Sequence, residues 1–447
     1  MRPELPTFAK ILSQSGYRTA TIGKMHLGGT LQHAGFDDRP YGDFGGPCAH
    51  QTNPENEPLG DLAFKQGLRE RTQEVGVCSI PESMLQERIT AQESISWIRE
   101  QAASRPEQPW LVFASMARPH FPLTAPKRFF DRYWPKGVTP PRVGKGGDAM
   151  RHQLTIDAIR GFRTEDIGEE EQLRARAAYF ACVDFLDEVI GDLLAQLERD
   201  GLLDNTIIIY TSDHGEMAGE HGLWWKNVWH EASSRGPMII STPAHRRGEM
   251  SASKVKTPVS LLDMFPTLCD LAGAQSPEGL DGVSIAPLLL NEPCEAASAR
   301  AGVVCESFWP RWGECAEFRA LRSEQYKYIA FRGCDDMAFD MLNDPDEQHN
   351  LLGKPQKQEV ADELERLRKA VIEGFDFEAV AERRTRDKEE LPKLYGAKKK
   401  PKTPNQIRLG DGRLVEADAP LYYPMVVSNN MAEDYADFPG KDNFIDD

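Results

Sequence analysis

Paired cysteines, long apolar runs and positive charge are all scarce in this chain. Its eight cysteines, at 48, 78, 182, 269, 294, 305, 315 and 334, include no Cys-x-x-Cys pair. That pattern excludes a readable zinc knuckle or dense disulfide framework and leaves the redox compartment open. No window approaches the roughly 18 apolar residues of a membrane span, so no membrane-spanning role is expected. The start, "MRPELPTFAK", has no apolar signal-peptide core, so the chain as written reads as cytoplasmic. A formal net charge of −17 argues against a nucleic-acid partner, which would need a cationic face. The densest basic run, "GAKKKPK" from Gly396 to Lys402, sits among proline and polar residues and reads as a solvated linker.

What is present suits a globular protein of two unequal domains, since 447 residues exceed the roughly 250–300 that one core supports. "TFAKILSQSG" reads as a helix stopped by Gly16, followed by the strand "RTATIG". "ESMLQERITAQESISWIREQ" reads as a helix feeding the buried strand "WLVFASM". The pattern recurs in the long amphipathic helix "EQLRARAAYFACVDFLDEVIGDLLAQLERDG" and the strand "NTIIIYTSDHG", then in "PMIISTP" and the helical "VSLLDMFPTLCDLAG". The expected class is therefore α/β, with a mostly parallel sheet between helices and ligands at the carboxyl ends of its strands. From Phe318 the character changes. "FRALRSEQYKYIAFRG" and "MAFDMLNDPDEQHNLL" read as hairpin strands with a turn at Asn343-Asp344-Pro345, before the helix "QEVADELERLRKAVIEGF". The expected division is an α/β domain over 1–317, an α+β subdomain over 318–389 and an extended tail over 390–447.

Three polar clusters fall at predicted strand ends. "SDHGE" sets Asp213 beside His214, an oxygen donor and an imidazole suited to a divalent cation, with Gly215 easing a sharp turn. Glu216, Glu220, His221 and Lys226 follow within a Gly-rich loop, more titratable groups than a structural turn requires. In "GYRTATIGKMHLGG", Lys24 and His26 lie two residues apart on extended backbone and so point the same way; they either bind one anion together or decorate a solvated loop. In "ARPHFPLTAP", His120 is held between prolines just after a strand.

These segments resemble the sulfatase family of the alkaline-phosphatase-like superfamily. "GYRTATIGKMHLGG" is similar to the family's second signature, "YTSDHGEMAGEHGLWWK" to its later metal and lysine segment, and "FDMLNDPDEQHNLL" to an element of its C-terminal subdomain. "GFDDRPYGD" and "RPHFPLTAP" resemble the iduronate- and choline-sulfatase-like branch, and the likeness runs from about residue 5 to 352. The resemblance implies an alkaline-phosphatase-like fold and a sulfuric ester hydrolase using Ca2+ and formylglycine. It implies that Asp213 and His214 meet the metal, that Lys24 and Lys226 hold sulfate oxygens, that His26 supports the nucleophile, and that His120 serves the substrate oxygens or leaving group.

The family pattern also has a pair of aspartates on an early strand and a Cys-x-Pro-x-Arg-like motif that maturation converts to formylglycine. Neither is found ahead of "GYRTATIGK", and Cys78 in "CSIPES" lacks the arginine. Asp37-Asp38 reads as a turn rather than a replacement for the acids, and Thr124 as an ordinary loop residue. The expectation is a chain truncated before its nucleophile, inactive as given, exposing apolar sheet edge, with periplasmic or secreted location open to a complete form. A non-catalytic binder of sulfated glycans or other anions is the alternative, and a phosphodiester or phosphonate monoester hydrolase a further one. Trp224, Trp225 and Trp229 beside Lys226 offer indoles for a sugar face or a quaternary ammonium, although core packing explains at least one of them more simply. The expected partner is a sulfated carbohydrate or small sulfate ester.

Overall fold

The computed structural model describes residues 5–25, 27, 33–42, 75–78, 81–162, 164, 167–308, 316–395, 406–408 and 414–416. Helix α1 (Phe8–Gln14) is capped by the Thr7 side chain and ends before Gly16, whose φ of 97° turns the chain back into strand β1 (Arg18–Gly23). β1 is central in a parallel sheet of order β2-β1-β4, between β2 (Asp38–Tyr41) and β4 (Trp110–Ser115). Buried on both faces, it carries Ala20 and Ile22 into a core with Trp97 and Ile98 of helix α2 (Gln86–Ser104). A second small parallel pair joins β3 (Gly76–Val77) to β5 (Thr124–Ala125).

Helix α3 (Lys127–Tyr133), helix α4 (Gln153–Phe162) and the long helix α5 (Glu169–Arg199) follow. On α5, Ala178, Ala181, Cys182, Phe185 and Val189 recur at three- and four-residue intervals and form the buried stripe that helical periodicity predicts. β6 (Ile208–Thr211) emerges next and pairs with β7 (Met238–Ser241). Within the mostly parallel α/β arrangement this pair is an antiparallel one: β7 runs against β6, with Ile208 opposite Ser241 and Thr211 opposite Met238. The return follows from the compact loop between them, which supplies no crossover helix long enough to carry β7 back to the start of β6. Phe113 on β4 is 39% exposed and Ile239 on β7 61% exposed, so both strands keep apolar surface uncovered by the described residues.

Helix α6 (Met264–Ala272) ends at Gly273 in the left-handed conformation. Beyond it an antiparallel sheet of order β11-β10-β9-β8 forms from β8 (Val303–Ser307), β9 (Phe318–Arg322), β10 (Tyr326–Phe331) and β11 (Met337–Asp340). The sheet thus begins upstream of residue 318, because Val303–Ser307 pairs along the full length of β9. The Asn343–Pro345 turn follows β11 without leading into another strand; the Asp344 carboxylate instead accepts the Gln348 and His349 amides and curls the chain. Helices α7 (Gln358–Ile372) and α8 (Phe377–Tyr395) complete the subdomain, so helix extends past the expected boundary at 390. Residues 406–408 and 414–416 form a small antiparallel pair that lies beside β2, where an extended tail was expected. The Gly396–Lys402 run lies outside the described residues. Among the described residues, no helix is long and apolar enough to cross a membrane.

Candidate functional site

Three strand ends converge. β1 and β4 pair from Arg18 opposite Trp110 to Gly23 opposite Ser115, so both chains leave the sheet at one edge. Gly23 is required there: its φ is +94°, and a Cβ would sit 2.0 Å from the Ser115 carbonyl oxygen. Lys24 comes next, its amide donating to that same oxygen at 3.0 Å. β4 continues into the loop bearing His120, and β6 continues into Asp213 and His214. Gly215 also cannot be replaced freely, but for a different reason from a left-handed turn. A Cβ there would lie 2.1 Å from the Ala232 carbonyl, where the loop passes the short helix Glu231–Ser234.

His120 occupies the middle of this edge. Its Nδ1 lies 3.0 Å from the Phe121 carbonyl, to which only an N–H can donate, so Nε2 carries the lone pair. Lys226 Nζ donates to that Nε2 at 2.7 Å. Burial first, then the charges of Lys226 and Lys24, hold the His120 pKa well below its ordinary value. The imidazole is therefore neutral at neutral pH, and Lys24 is close enough for its charge to be felt. Lys226 also lies over the Phe121 ring, 5.7 Å from its centroid.

His214 packs near His120, with ring centroids 6.3 Å apart. Its Nδ1–H donates to the Gly215 carbonyl at 2.7 Å, leaving Nε2 as an acceptor 3.4 Å from Asp213 Oδ2. Burial is the largest cause lowering the His214 pKa, and Lys226 and Lys24 lower it further against the pull of Asp213. Two lone-pair atoms that face each other without a proton between them repel unless a cation sits nearby. That donor chemistry fits one side of a divalent-cation site. No group of three or more His, Cys, Asp or Glu side chains able to hold a metal occurs among the described residues, and calcium takes about 6–8 oxygen ligands.

The structure thus brings Lys24, His120, Asp213, His214 and Lys226 to one edge, while His26 lies outside the described residues. Glu216 and Glu220, conspicuous in the sequence, brace the loop from within. Glu216 Oε1 accepts the Ala218 and Trp225 amides at 3.0 and 2.5 Å, and Glu220 accepts the Arg142 and Val143 amides and pairs with Arg176. The indole reading is corrected: Trp224, Trp225 and Trp229 are 1%, 5% and 0% exposed, packed in the core rather than open to a ligand. Asp38 is buried in a bidentate pair with Arg18 and accepts from Trp97, while Asp37 accepts from Ser13 and Thr19. Thr124 is buried in β5, bonded by Arg118.

Sequence reasoning missed the Glu87–Arg118 pair behind His120. Glu87 Oε1 accepts the Arg118 amide at 2.9 Å and Oε2 meets Nη1 at 2.6 Å, with both side chains at most 3% exposed. Arg118 is visible in "ARPHFP", but nothing near Glu87 in the chain signals its partner.

The family model described as Sulfatase matches residues 2–274, and that described as N-sulphoglucosamine sulphohydrolase, C-terminal, matches 219–373. A choline-sulfatase of Rhizobium meliloti (strain 1021) is 31% identical over 365 residues, covering 78% of this chain and 68% of that one. An ulvan-active sulfatase of Formosa agariphila is 29% identical over 392 residues, covering 83% and 67%. A phosphonate monoester hydrolase of Agrobacterium radiobacter shares the fold at a TM-score of 0.67 and 22% identity, covering 83% of this chain and 82% of that one. A protein solved with its substrate D-glucosamine-2-N,6-O-disulfate does so at 0.59 and 22%, covering 83% of each.

Proposed function

The chain belongs to the sulfatase family, and from that premise we propose that Lys24, His120 and Lys226 form the oxyanion-binding wall of a sulfuric ester hydrolase site. The observation that carries this reading is the 2.7 Å contact of Lys226 with a neutral His120, within reach of the Lys24 charge. Two ammonium groups at one sheet edge, in a protein of net charge −17, provide a local positive field for an anion. Their fixed charge offsets the charge on a sulfuryl group during transfer, which is where such groups contribute most.

His120 is held by its bond to the Phe121 carbonyl with Nε2 turned toward Lys226, and so orients that ammonium. An anion placed between the lysines opposes the charges that now lower the His120 pKa, and so favours its protonation beside a leaving-group oxygen. Asp213 and His214 would hold one side of a Ca2+ ion, which when bound polarises a sulfate oxygen as a Lewis acid. His26 would support a formylglycine nucleophile; none of the eight cysteines begins a Cys-x-Pro-x-Arg-like motif, and a chain lacking that nucleophile would bind without turnover. The substrate we favour is a sulfated carbohydrate, followed by a small ester such as choline sulfate. The names of the choline-sulfatase and the ulvan-active sulfatase are in keeping with both.

The test is calorimetric titration with inorganic sulfate together with turnover of a chromogenic aryl sulfate, with calcium supplied, after co-expression with a formylglycine-generating enzyme. Lys226→Ala should weaken sulfate binding about tenfold, the usual cost of one charge-assisted contact. Binding without turnover fits both a sulfatase site that lacks its nucleophile and the anion-binding alternative. Equal sulfate affinity in parent and Lys226→Ala refutes the proposed wall.

A further inference from the structure

Backbone in the left-handed region is concentrated near Lys226. Ala218, His221, Trp225 and Asn227 have φ of 45°, 53°, 70° and 74°, and none is glycine. Each such residue costs about 1–2 kcal/mol and persists only where its surroundings over-determine it. Glu216 secures the near side of this loop through the Trp225 amide. The far side is secured from another part of the chain. Glu347 is itself left-handed, at φ 54°, and its side chain is 3% exposed. Its Oε2 accepts the Glu231 amide at 2.8 Å and lies 3.2 Å from His230 Nδ1. Its Oε1 meets Lys327 Nζ at 2.9 Å, and that ammonium also donates to the Trp229 carbonyl and to Glu231 Oε1.

Lys327 belongs to β10 and Glu347 to the curl after β11, so the antiparallel sheet grips three consecutive residues, Trp229 to Glu231, just beyond Lys226. The curl is anchored too: Asp148 accepts the Asn350 amide at 3.0 Å and donates its own amide to the Gln348 carbonyl at 2.8 Å. Trp229 meets Phe331 edge-on at 5.1 Å, which joins the gripped segment to the same core. Burial opposes both charges. Even so, Glu347 and Glu231 raise the Lys327 pKa and Lys327 with His230 lowers that of Glu347, so both stay ionised across the neutral range.

We propose that Glu347 is a positioning residue for Lys226: with Lys327 it clamps the Trp229–Glu231 backbone and thereby sets the lysine against His120, without touching the bound anion. The inference rests on the reading of Lys226 as an anion ligand. A clamp that only fastened the C-terminal sheet would affect stability alone. A positioning clamp also sets the affinity of molecules that remain folded.

Sulfate affinity by calorimetry and the thermal midpoint are measured on the full chain for the parent, Glu347→Asp, the pair Glu347→Leu with Lys327→Met, Lys226→Ala, and the triple combination. The apolar pair avoids stranding a buried charge, and such replacements commonly keep the fold. Glu347→Asp keeps the charge opposite Lys327 but draws the carboxylate back from the Glu231 amide. The expected result is about tenfold weaker sulfate binding in folded Glu347 variants, with little further loss when Lys226→Ala is added, the mark of coupled residues. Affinity within twofold of the parent in those variants, with Lys226→Ala weakened, overturns the positioning role and leaves the anion site standing. An unchanged Lys226→Ala overturns the anion reading first, and the positioning role with it.

Discussion

Deleting the Glu87 carboxylate should cost far more than its two hydrogen bonds suggest. Glu87 opens α2 and is fully buried, and Arg118 is 3% exposed, its guanidinium also donating to the Thr124 carbonyl at 2.9 Å. Glu87→Ala removes the carboxylate that meets that guanidinium at 2.6 Å and takes its counter-charge out of a buried site. Breaking a buried pair by removing one partner costs about 3–5 kcal/mol. By contrast, the pair Lys127–Asp131, with side chains 71% and 54% exposed, should contribute no more than about 0.5 kcal/mol. Glu87→Gln keeps an acceptor for the Arg118 amide and should fall between them, at about 1.5–3 kcal/mol. Urea unfolding followed by tryptophan fluorescence reads all three as shifts in midpoint at constant slope. A Glu87→Ala variant within about 1 kcal/mol of the parent would refute the reasoning, because losing one partner of a buried ion pair should cost more than that.

Further expectations concern acid sensitivity and the metal. Asp263 is fully buried and accepts from Ser260, Val283 and, twice at 2.8 Å, from Arg300. Burial raises its pKa, but Arg300 and the two amides outweigh burial and bring it below the ordinary 3.8. A depressed carboxylate stabilises fully above its unfolded pKa and loses that contribution as pH falls through the folded value. Asp263→Asn should therefore be less stable than the parent at neutral pH, with the difference shrinking below about pH 4 in urea midpoints; a constant difference would exclude the ion pair as its cause. Asp213→Asn should weaken Ca2+ binding at least several-fold in a calorimetric titration, since calcium sites are tuned by ligand charge. Equal affinity in the two proteins would remove Asp213 from the proposed site.

The strand–helix alternation was legible because it is local. Helical spacing marked α5, Gly16 and Gly201 punctuated their helices, and apolar runs marked β1, β4 and β6. The polar clusters were legible for the same reason, since Lys24, His120 and Asp213 each follow a strand by only a few residues. Pairing was not legible. Whether β7 runs with or against β6, and whether Val303–Ser307 joins the later sheet, depends on backbone partners remote in the chain. Orientation was equally hidden. Three tryptophans beside a lysine look alike in sequence whether they meet a ligand or a core, and burial against α5 and the antiparallel sheet put them in the core. The sequence alone therefore determined which chemical groups would stand at the strand ends. Tertiary structure decided how they face one another: the His120–Lys226 contact and its Glu87–Arg118 and Lys327–Glu347 supports join residues 20 to more than 100 positions apart, through burial and charge that no local pattern records.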